Sequence, residues 1–480
     1  MNRTYSRAVR TLIWLGPDRD ACSAAWQLVD KIYHVFQSQN PGARSVADIP
    51  FRLYSDPDHD TTGLPGWKHK LWQQLRNLFE LPWFTRTWII QEVALSRADP
   101  VILHGRRRYK WHRLGWAASW LRRNGYLRLD QVPNQIQNVE TISNIRRSGS
   151  HSPWCLGALS VATSIKCHAT DQRDKIYALL GLAAESSDAA DVPDLLRANY
   201  ELGVAQVYTK AAIFFLWTYK TLSILTRAHG VSDDISRAQR KHKLDALPSW
   251  VPNWCDFAVT ERHVAKSLSW LSHPTDARAA TLQFPDHYNA SCGLRAKLYE
   301  STDPSVLRLS GLQADVVVST TSFDAAPQLS GGRAHDAQFL QLWRASLPVL
   351  RENTAVEDRI ASWVRATTAE QFRLGGNTQA QTLKDGSAFL LDLLSRRGHQ
   401  SDSPDIMVLL RKLSDGGRPE SYVSLASNFC LHRNFIVTSK GRMGIGPSAT
   451  LPGDGVFVIF GGGVPYIIRK LQGGSVFVER

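Results

Sequence analysis

The sequence predicts a mixed α+β fold with a partial α/β region, a helical middle region and a β-rich carboxyl-terminal module. Residues 1–105 alternate helix-like and strand-like segments, which is typical of an α/β unit, and residues 106–230 carry apolar side chains at helical spacing. Residues 231–306 are polar and basic at first and then contain a tryptophan- and proline-rich stretch, which predicts a linker and a clasp. Residues 307–480 are predicted to be a mixed region that ends in short strands separated by glycine turns.

The amino-terminal region begins with a helix that runs into a strand. Tyr5–Gly16, YSRAVRTLIWLG, changes from a helical segment to the strand-like TLIWLG. A helix is expected from about Arg19 to Phe36. The proline-, aspartate- and glycine-rich stretch Gln39–Pro65 predicts a long loop.

The segment Pro82–Leu95, PWFTRTWIIQEVAL, predicts one buried helix that contains a polar pair. Pro82 suits the first turn of a helix, and apolar side chains follow on every side of the helical wheel. Gln91 and Glu92 lie in the middle, so we expect at least one of them to point into packed protein. A buried carboxylate without its partner costs about 3–5 kcal/mol, so another part of the chain should neutralise Glu92.

The expected partner lies in Thr170–Gly181, TDQRDKIYALLG. Thr170 or Asp171 can cap a helix, and Gly181 can end it in a left-handed turn. Arg173 lies in the first turn, where its guanidinium can reach a carboxylate of another element. We predict a structural Glu92–Arg173 ion pair, within a polar core formed by Gln91, Glu92, Arg173 and Asp174.

The carboxyl-terminal half changes from helical to strand-like periodicity. Val306–Val318 predicts a strand, Ala337–Leu394 a helical patch, and Phe435–Val478 a small sheet or barrel-like module. Gly444–Ala449, GIGPSA, formally matches a dinucleotide-binding pattern, which requires a helix after the glycines. Prolines and a strand follow instead, so we expect these glycines to shape β-turns and predict no cofactor.

A tryptophan pair marks the proline-stiffened stretch Leu247–Trp254, LPSWVPNW. Because tryptophan has a large apolar surface, we expect Trp250 and Trp254 to form a hydrophobic clasp between domains. The alternative is that they stack on a ligand.

Composition indicates a soluble globular protein in the cytoplasm. The apolar fraction is 43%, the charged fraction is 21%, and the formal charge is +14. The basic clusters, of which Arg106–Lys110 is one, are short and dispersed, so we expect a solvated face and no specific nucleic-acid binding. Six scattered cysteines predict neither a metal site nor a disulfide framework. The densest apolar run, Ala211–Trp217, is too short to span a membrane.

Five of these segments, in the same order along nearly the whole chain, resemble the fungal heterokaryon-incompatibility (HET) domain family. The matching residues are Tyr5, Trp14, Gly16, Trp88, Tyr177, Trp250, Trp254, Gly444, Gly446, Gly453 and Asp454. The resemblance implies a partial TIR-like domain over residues 1–105, because the two strands that open the family's domain have no counterpart here. It implies a non-enzymatic role in nonself recognition and programmed cell death, through protein partners or self-association.

Two alternatives stay open at this stage. The HET domain has been likened to TIR-type domains, some of which cleave NAD with a glutamate on a helix, and Glu92 is then the only catalytic candidate. A structural role for Glu92 is preferred, because ion-pair networks perturb carboxylates as readily as active sites do. The second alternative is a truncated relative that no longer functions.

Overall fold

The computed structural model describes most of the chain in separate stretches. These are residues 2–18, 24–50, 52, 54, 56–129, 131–133, 135–148, 154–163, 167–186, 192–228, 247–255, 288–323, 335–347, 355–372, 377–396, 404–431, 433–471 and 474–478. Helices and strands coexist within these stretches, which confirms the predicted mixed fold. The predicted start of the second helix at Arg19 and most of the predicted linker lie outside the described residues, and the predicted domain boundaries stay predictions.

A small sheet forms the amino-terminal region. It contains β1 (Leu12–Trp14), β2 (Val101–His104) and β3 (Arg107–Lys110) in that spatial order. β1 is parallel to β2, whereas β3 is antiparallel to β2. Helix α2 (Ala25–Gln39) covers one face, since its first residues bring Trp26 against Tyr109 with ring centroids 4.0 Å apart.

Helices surround this sheet and continue to residue 219. They are α1 (Asn2–Arg7), α2, α3 (Asp56–Thr61), α4 (Lys70–Phe79), α5 (Ile89–Ala94), α6 (Trp111–Arg123), α7 (Ile136–Ser148), α8 (Leu156–Thr163), α9 (Asp174–Tyr177) and α10 (Val204–Tyr219). The stretch expected to be a loop at Gln39–Pro65 contains α3 and a 3-10 turn, Val46–Asp48, which Ser45 and Asp48 cap reciprocally. One cluster of buried apolar side chains includes residues from Ile13 to Cys255 and also Ile459, Val464 and Tyr466 of the carboxyl-terminal region.

The prediction of a single helix from Pro82 to Leu95 is wrong. The chain forms a 3-10 turn, Pro82–Thr85, and then α5, with Arg86 in an extended conformation between them. The physical reason is a tertiary contact: the Thr87 N–H donates to the His168 carbonyl at 2.9 Å, and Arg86 and His168 form a parallel bridge. These bonds replace the hydrogen bonds that a continuous helix would make at this point.

A six-stranded antiparallel sheet forms the carboxyl-terminal region. Its strands are β6 (Gly311–Phe323), β7 (Arg433–Thr438), β8 (Met443–Pro447), β9 (Gly455–Ile459), β10 (Tyr466–Leu471) and β11 (Gly474–Val478). The spatial order β11-β10-β9-β6-β7-β8 is open, so the predicted strands form a sheet and not a barrel. A short pair, β4 (Leu298–Tyr299) and β5 (Arg308–Leu309), precedes it.

In the described part of the chain, five helices lie in the sequence between β6 and β7, which are neighbouring strands of this sheet. They are α11 (Asp336–Ser346), α12 (Val356–Thr367), α13 (Gln379–Arg396), α14 (Pro404–Leu413) and α15 (Pro419–Cys430). Their apolar faces enclose a second buried cluster around Trp343, Trp363 and Tyr422. The Tyr466 side chain of β10 reaches the first cluster instead, and its hydroxyl donates to the Leu222 carbonyl at 3.1 Å. None of the helices described here combines the length and apolarity needed to cross a bilayer.

Candidate functional site

The two segments that the sequence singles out lie side by side. Besides its N–H bond, Thr87 donates its hydroxyl to the His168 carbonyl at 2.9 Å, just before α9 begins. Gln91 continues the contact one turn later, because its side-chain amide donates to the Ala178 carbonyl at 2.6 Å. We call this contact between α5 and the α9 segment the motif junction.

Gln91 is the polar residue of α5 that points into packed protein. Its side chain is 3% exposed, which agrees with the expectation that one member of the Gln91–Glu92 pair is buried. Its side-chain oxygen, Oε1, has no hydrogen-bond partner within the described part of the chain. The Gln91 amide positions α5 against Ala178. A buried polar atom without a partner lowers the free energy of unfolding, so this contact has a cost in stability.

Glu92 is only half-buried, and it does not pair with Arg173. Its neighbour is Tyr5 of α1, which hydrogen-bonds with the Glu92 carboxylate. Burial raises the pKa of the Tyr5 hydroxyl, and the charge and hydrogen bond of Glu92 raise it further, whereas Arg86 lowers it. Glu92 therefore connects α5 to α1. The prediction of a buried Glu92–Arg173 ion pair is wrong.

Arg173 is occupied by a carboxylate much closer in sequence. Its guanidinium forks onto Asp171, with Nε 2.9 Å from Oδ1 and Nη2 2.7 Å from Oδ2. It also donates to the Leu202 carbonyl at 3.0 Å and lies over the Tyr200 ring, 5.1 Å from its centroid. The hydrogen bond from Arg173 holds the pKa of Asp171 below its usual range. Pairing with a residue only two positions away costs little chain entropy, because the loop to be closed is short. This explains why Arg173 pairs with Asp171 and not with Glu92.

Asp174 is the carboxylate that joins the two segments. It accepts the Trp88 indole N–H at 3.0 Å and the Tyr200 hydroxyl at 2.6 Å. Burial raises the pKa of Tyr200, and its hydrogen bond to Asp174 adds to this shift. Tyr177 extends the network, since its hydroxyl donates to the Asn199 carbonyl at 3.1 Å. Asp174 of the predicted polar core therefore acts with Trp88 and Tyr177, two residues that match the family motif, to hold segments of the fold in place.

The buried carboxylate that the amino-terminal core does contain is Glu140 of α7. Its side chain is 0% exposed, and Arg122 of α6 donates to it at 2.5 Å. Loss of hydration lowers the pKa of the neighbouring Arg147 to about 10, while the charge of Glu140 opposes that shift. Sequence reasoning missed this pair. The available signal was that Glu140 lies beside the apolar stripe of a helix whose last turn contains two arginines, Arg146 and Arg147.

Sequence reasoning also missed Asp171 as the acceptor for Arg173, and Tyr200 as a ring that Arg173 and Asp174 both contact. The signal for Asp171 was its spacing of two residues from Arg173, which suits a local fork. Tyr200 gave no signal, because only the fold brings it to α9.

The remaining motif residues are spread over the fold. Gly16 follows β1 with a φ of +99°, a conformation that favours glycine, whereas Trp14 in β1 is largely exposed. Trp254 packs edge-on against Tyr208 of α10 at 5.1 Å, and the Trp250 indole donates to the Ser305 carbonyl at 2.9 Å. Both rings are buried, so little of their surface is open to a stacking ligand.

The glycine-rich motif near the carboxyl terminus is part of the large sheet. Gly444 and Gly446 lie in β8 and not in β-turns as expected, because they pair with Ile436 and Asn434 of β7. A turn and then β9 follow, so the helix that a dinucleotide site requires is missing at this position.

Gly453, with a φ of +96°, does form a turn, and the next residue, Asp454, is buried. Arg469 of β10 forks onto the Asp454 carboxylate at 2.8 and 2.9 Å.

In the described part of the chain, no three histidine, cysteine, aspartate or glutamate side chains converge as a metal site would require.

A double-mutant cycle distinguishes the observed junction from the one predicted by sequence. We expect Trp88→Phe and Asp174→Asn to be coupled by at least about 0.5 kcal/mol in the free energy of unfolding, because they share a hydrogen bond. Glu92→Gln and Arg173→Gln serve as the matched control and should be additive within about 0.5 kcal/mol. Urea denaturation of the four single and two double variants measures both couplings. Coupling in the second cycle but not in the first would contradict the hydrogen bonds described here.

Comparison with known proteins gives two matches and one negative result. Residues 1–92 match the family model described as heterokaryon incompatibility protein (HET). The chain is 23% identical to heterokaryon incompatibility protein 6, OR allele, of Neurospora crassa, over 98% of this chain and 75% of that protein. No solved structure matches the chain.

Proposed function

We propose that this chain, which is similar to heterokaryon incompatibility (HET) proteins, acts in fungal nonself recognition and triggers cell death by binding other proteins. The observation that carries the proposal is the extent of the alignment, which includes 98% of the chain and therefore its helical and β-rich regions as well as the first 92 residues. The binding surface would be provided by the α/β region, and the helical and β-rich remainder would regulate it.

The chemistry of the motif junction favours a structural role over a catalytic one. The side chains of Trp88, Gln91, Arg173 and Asp174 each bond to another segment of the same chain. Groups that are engaged in this way hold segments in position and are not free to act on a substrate. Glu92 likewise bonds to another segment, through Tyr5 of α1, but it is the catalytic candidate that the sequence offers. Its replacement therefore separates binding from catalysis.

Inducible expression in a fungal host tests the proposal. We expect the wild-type chain to arrest growth, and Glu92→Gln to arrest it equally, with the cellular NAD concentration unchanged in both strains. The matched control is Glu80→Gln, which alters an exposed glutamate after α4. If growth continues although the wild-type protein is abundant, the proposal fails and the chain is an inactive relative. If NAD falls and Glu92→Gln alone restores both NAD and growth, the chain is an NAD-cleaving enzyme instead.

A further inference from the structure

The three-stranded amino-terminal sheet has one covered face and one open face. Ile13, Ile102 and Tyr109 form one row on the covered face, where Trp26 of α2 stacks on Tyr109, and the two isoleucines are 1% and 0% exposed. On the other face of the same short strand, Leu12 is 63% and Trp14 is 57% exposed. Side chains alternate between the two faces of a strand, so this asymmetry belongs to the sheet and not to a loose end.

The strand register arranges the open face into two parallel rows. Each row begins with an apolar residue of β1, continues with an apolar residue of β2 and ends with a cation of β3. The rows are Leu12–Val101–Lys110 and Trp14–Leu103–Arg108. The β3 cations are exposed and the β2 residues are half-buried. We call these six residues the open sheet face.

The architecture indicates what kind of element fits there. β1 and β2 form a parallel pair, and sheets built from parallel strands are almost always covered by helices on both faces, although β3 makes this small sheet mixed. A helix laid along the strands would bury the four apolar side chains under its apolar stripe. Exposed apolar patches of this kind, bordered by polar residues, mark interaction sites.

Charge decides between the possible occupants. Arg108 and Lys110 border the apolar rows on one side, and the chain as a whole carries a formal charge of +14. A second copy of the chain would bring like charges together, whereas carboxylates along one side of an incoming helix would pair with both cations.

We propose that the open sheet face binds an amphipathic helix of a partner protein whose flank beside β3 is acidic. This deepens the proposed role as an interaction protein and rests on it. Leu12, Trp14, Val101 and Leu103 provide the apolar contact, and Arg108 and Lys110 set the orientation of the helix and reject basic partners.

Binding of a synthetic peptide to the full chain tests this surface. The probe is a fluorescein-labelled helix of about 18 residues, or five turns, with leucine on one face and glutamate on both flanks. The comparison peptide has lysine in place of glutamate. Fluorescence anisotropy should show binding of the glutamate peptide and affinity at least about tenfold lower for the lysine peptide. Arg108→Glu combined with Lys110→Glu should reverse this order.

The apolar half of the surface has its own variant. Leu12→Thr combined with Trp14→Thr keeps residues that favour strands and should lower affinity by at least about tenfold. Leu312→Thr in β6 is the matched control, because Leu312 is also about half exposed (52%), and it should bind as the wild-type chain does. Equal loss in Leu312→Thr, or equal binding of both peptides, overturns the proposal.

Two further outcomes would assign the face to another occupant and also overturn the proposal. One is a wild-type dimer in sedimentation that the Leu12→Thr/Trp14→Thr variant converts to monomer. The other is binding to phosphatidylserine vesicles that this variant loses while it keeps peptide binding. The growth assay is read separately: growth arrest without peptide binding rejects only the surface, and peptide binding without arrest rejects only the proposed function.

Discussion

Replacement of Glu140 by glutamine should lower the free energy of unfolding by about 3–5 kcal/mol, because the change leaves a buried cation without its counter-charge. The Arg122 guanidinium lies 2.5 Å from the Glu140 carboxylate, and the Glu140 side chain is fully buried. The neighbouring Arg147, whose pKa is already lowered by loss of hydration, would lose the same favourable charge. Urea denaturation followed by far-ultraviolet circular dichroism measures the effect.

A control and a rescue make the Glu140 prediction specific. Glu201→Gln changes an exposed glutamate in a loop and should shift the free energy of unfolding by less than about 0.5 kcal/mol. Glu140→Leu combined with Arg122→Met should recover much of the lost stability, because well-packed apolar residues often replace a buried ion pair without loss. Destabilisation by Glu140→Gln that does not exceed the effect of Glu201→Gln would show that the pair contributes nothing.

Replacement of Asp454 by alanine should destabilise the carboxyl-terminal sheet by about 3 kcal/mol, at the lower end for a broken buried pair. Asp454 receives the Arg469 fork and also the Leu451 N–H at 2.8 Å, so three donors lose their acceptor. The lower end of the range is expected because the Arg469 side chain keeps 20% of its surface in water.

Hydrogen exchange measures the Asp454 effect where it should occur. Amide protons of β9 and β10 should exchange faster in Asp454→Ala, whereas those of α6 and α7 in the first buried cluster should exchange at their wild-type rates. Asp415→Asn alters an exposed aspartate after α14 and serves as the control. Unchanged exchange in β9 and β10 would mean that the Asp454–Arg469 pair does not stabilise the sheet.

Local pattern was sufficient for the type of most elements. The spacing around Leu202–Leu225 predicts α10, and the β-branched runs after Phe435 predict four strands that the structure contains. The pattern failed where a long-range bond competes with a local one. Arg86 interrupts the predicted helix because His168, 82 positions later, pairs with its backbone.

At the motif junction, too, the sequence predicts which segments meet but not which side chains bond to each other. Sequence reasoning joins α5 to the α9 segment through a Glu92–Arg173 pair; the two segments do lie together, but that pair does not form. The choice of atoms is different: Gln91 bonds to Ala178, Trp88 bonds to Asp174, and Glu92 turns to Tyr5. A helical wheel gives the angle between neighbouring side chains but not the identity of the surface that each one meets.

By itself, the amino-acid sequence determines the character of each segment, because helical spacing, strand alternation and turn chemistry are properties of neighbouring residues. It also identifies some of the polar residues that lie among apolar ones and therefore need partners, such as Gln91, but it did not identify Glu140. The tertiary structure decides which partner each of them finds. Asp171 occupies Arg173, Arg122 neutralises Glu140, and the register of β1 on β2 leaves Leu12 and Trp14 in water. Charges pair over a few ångströms, and separations on that scale are set only when distant segments pack together.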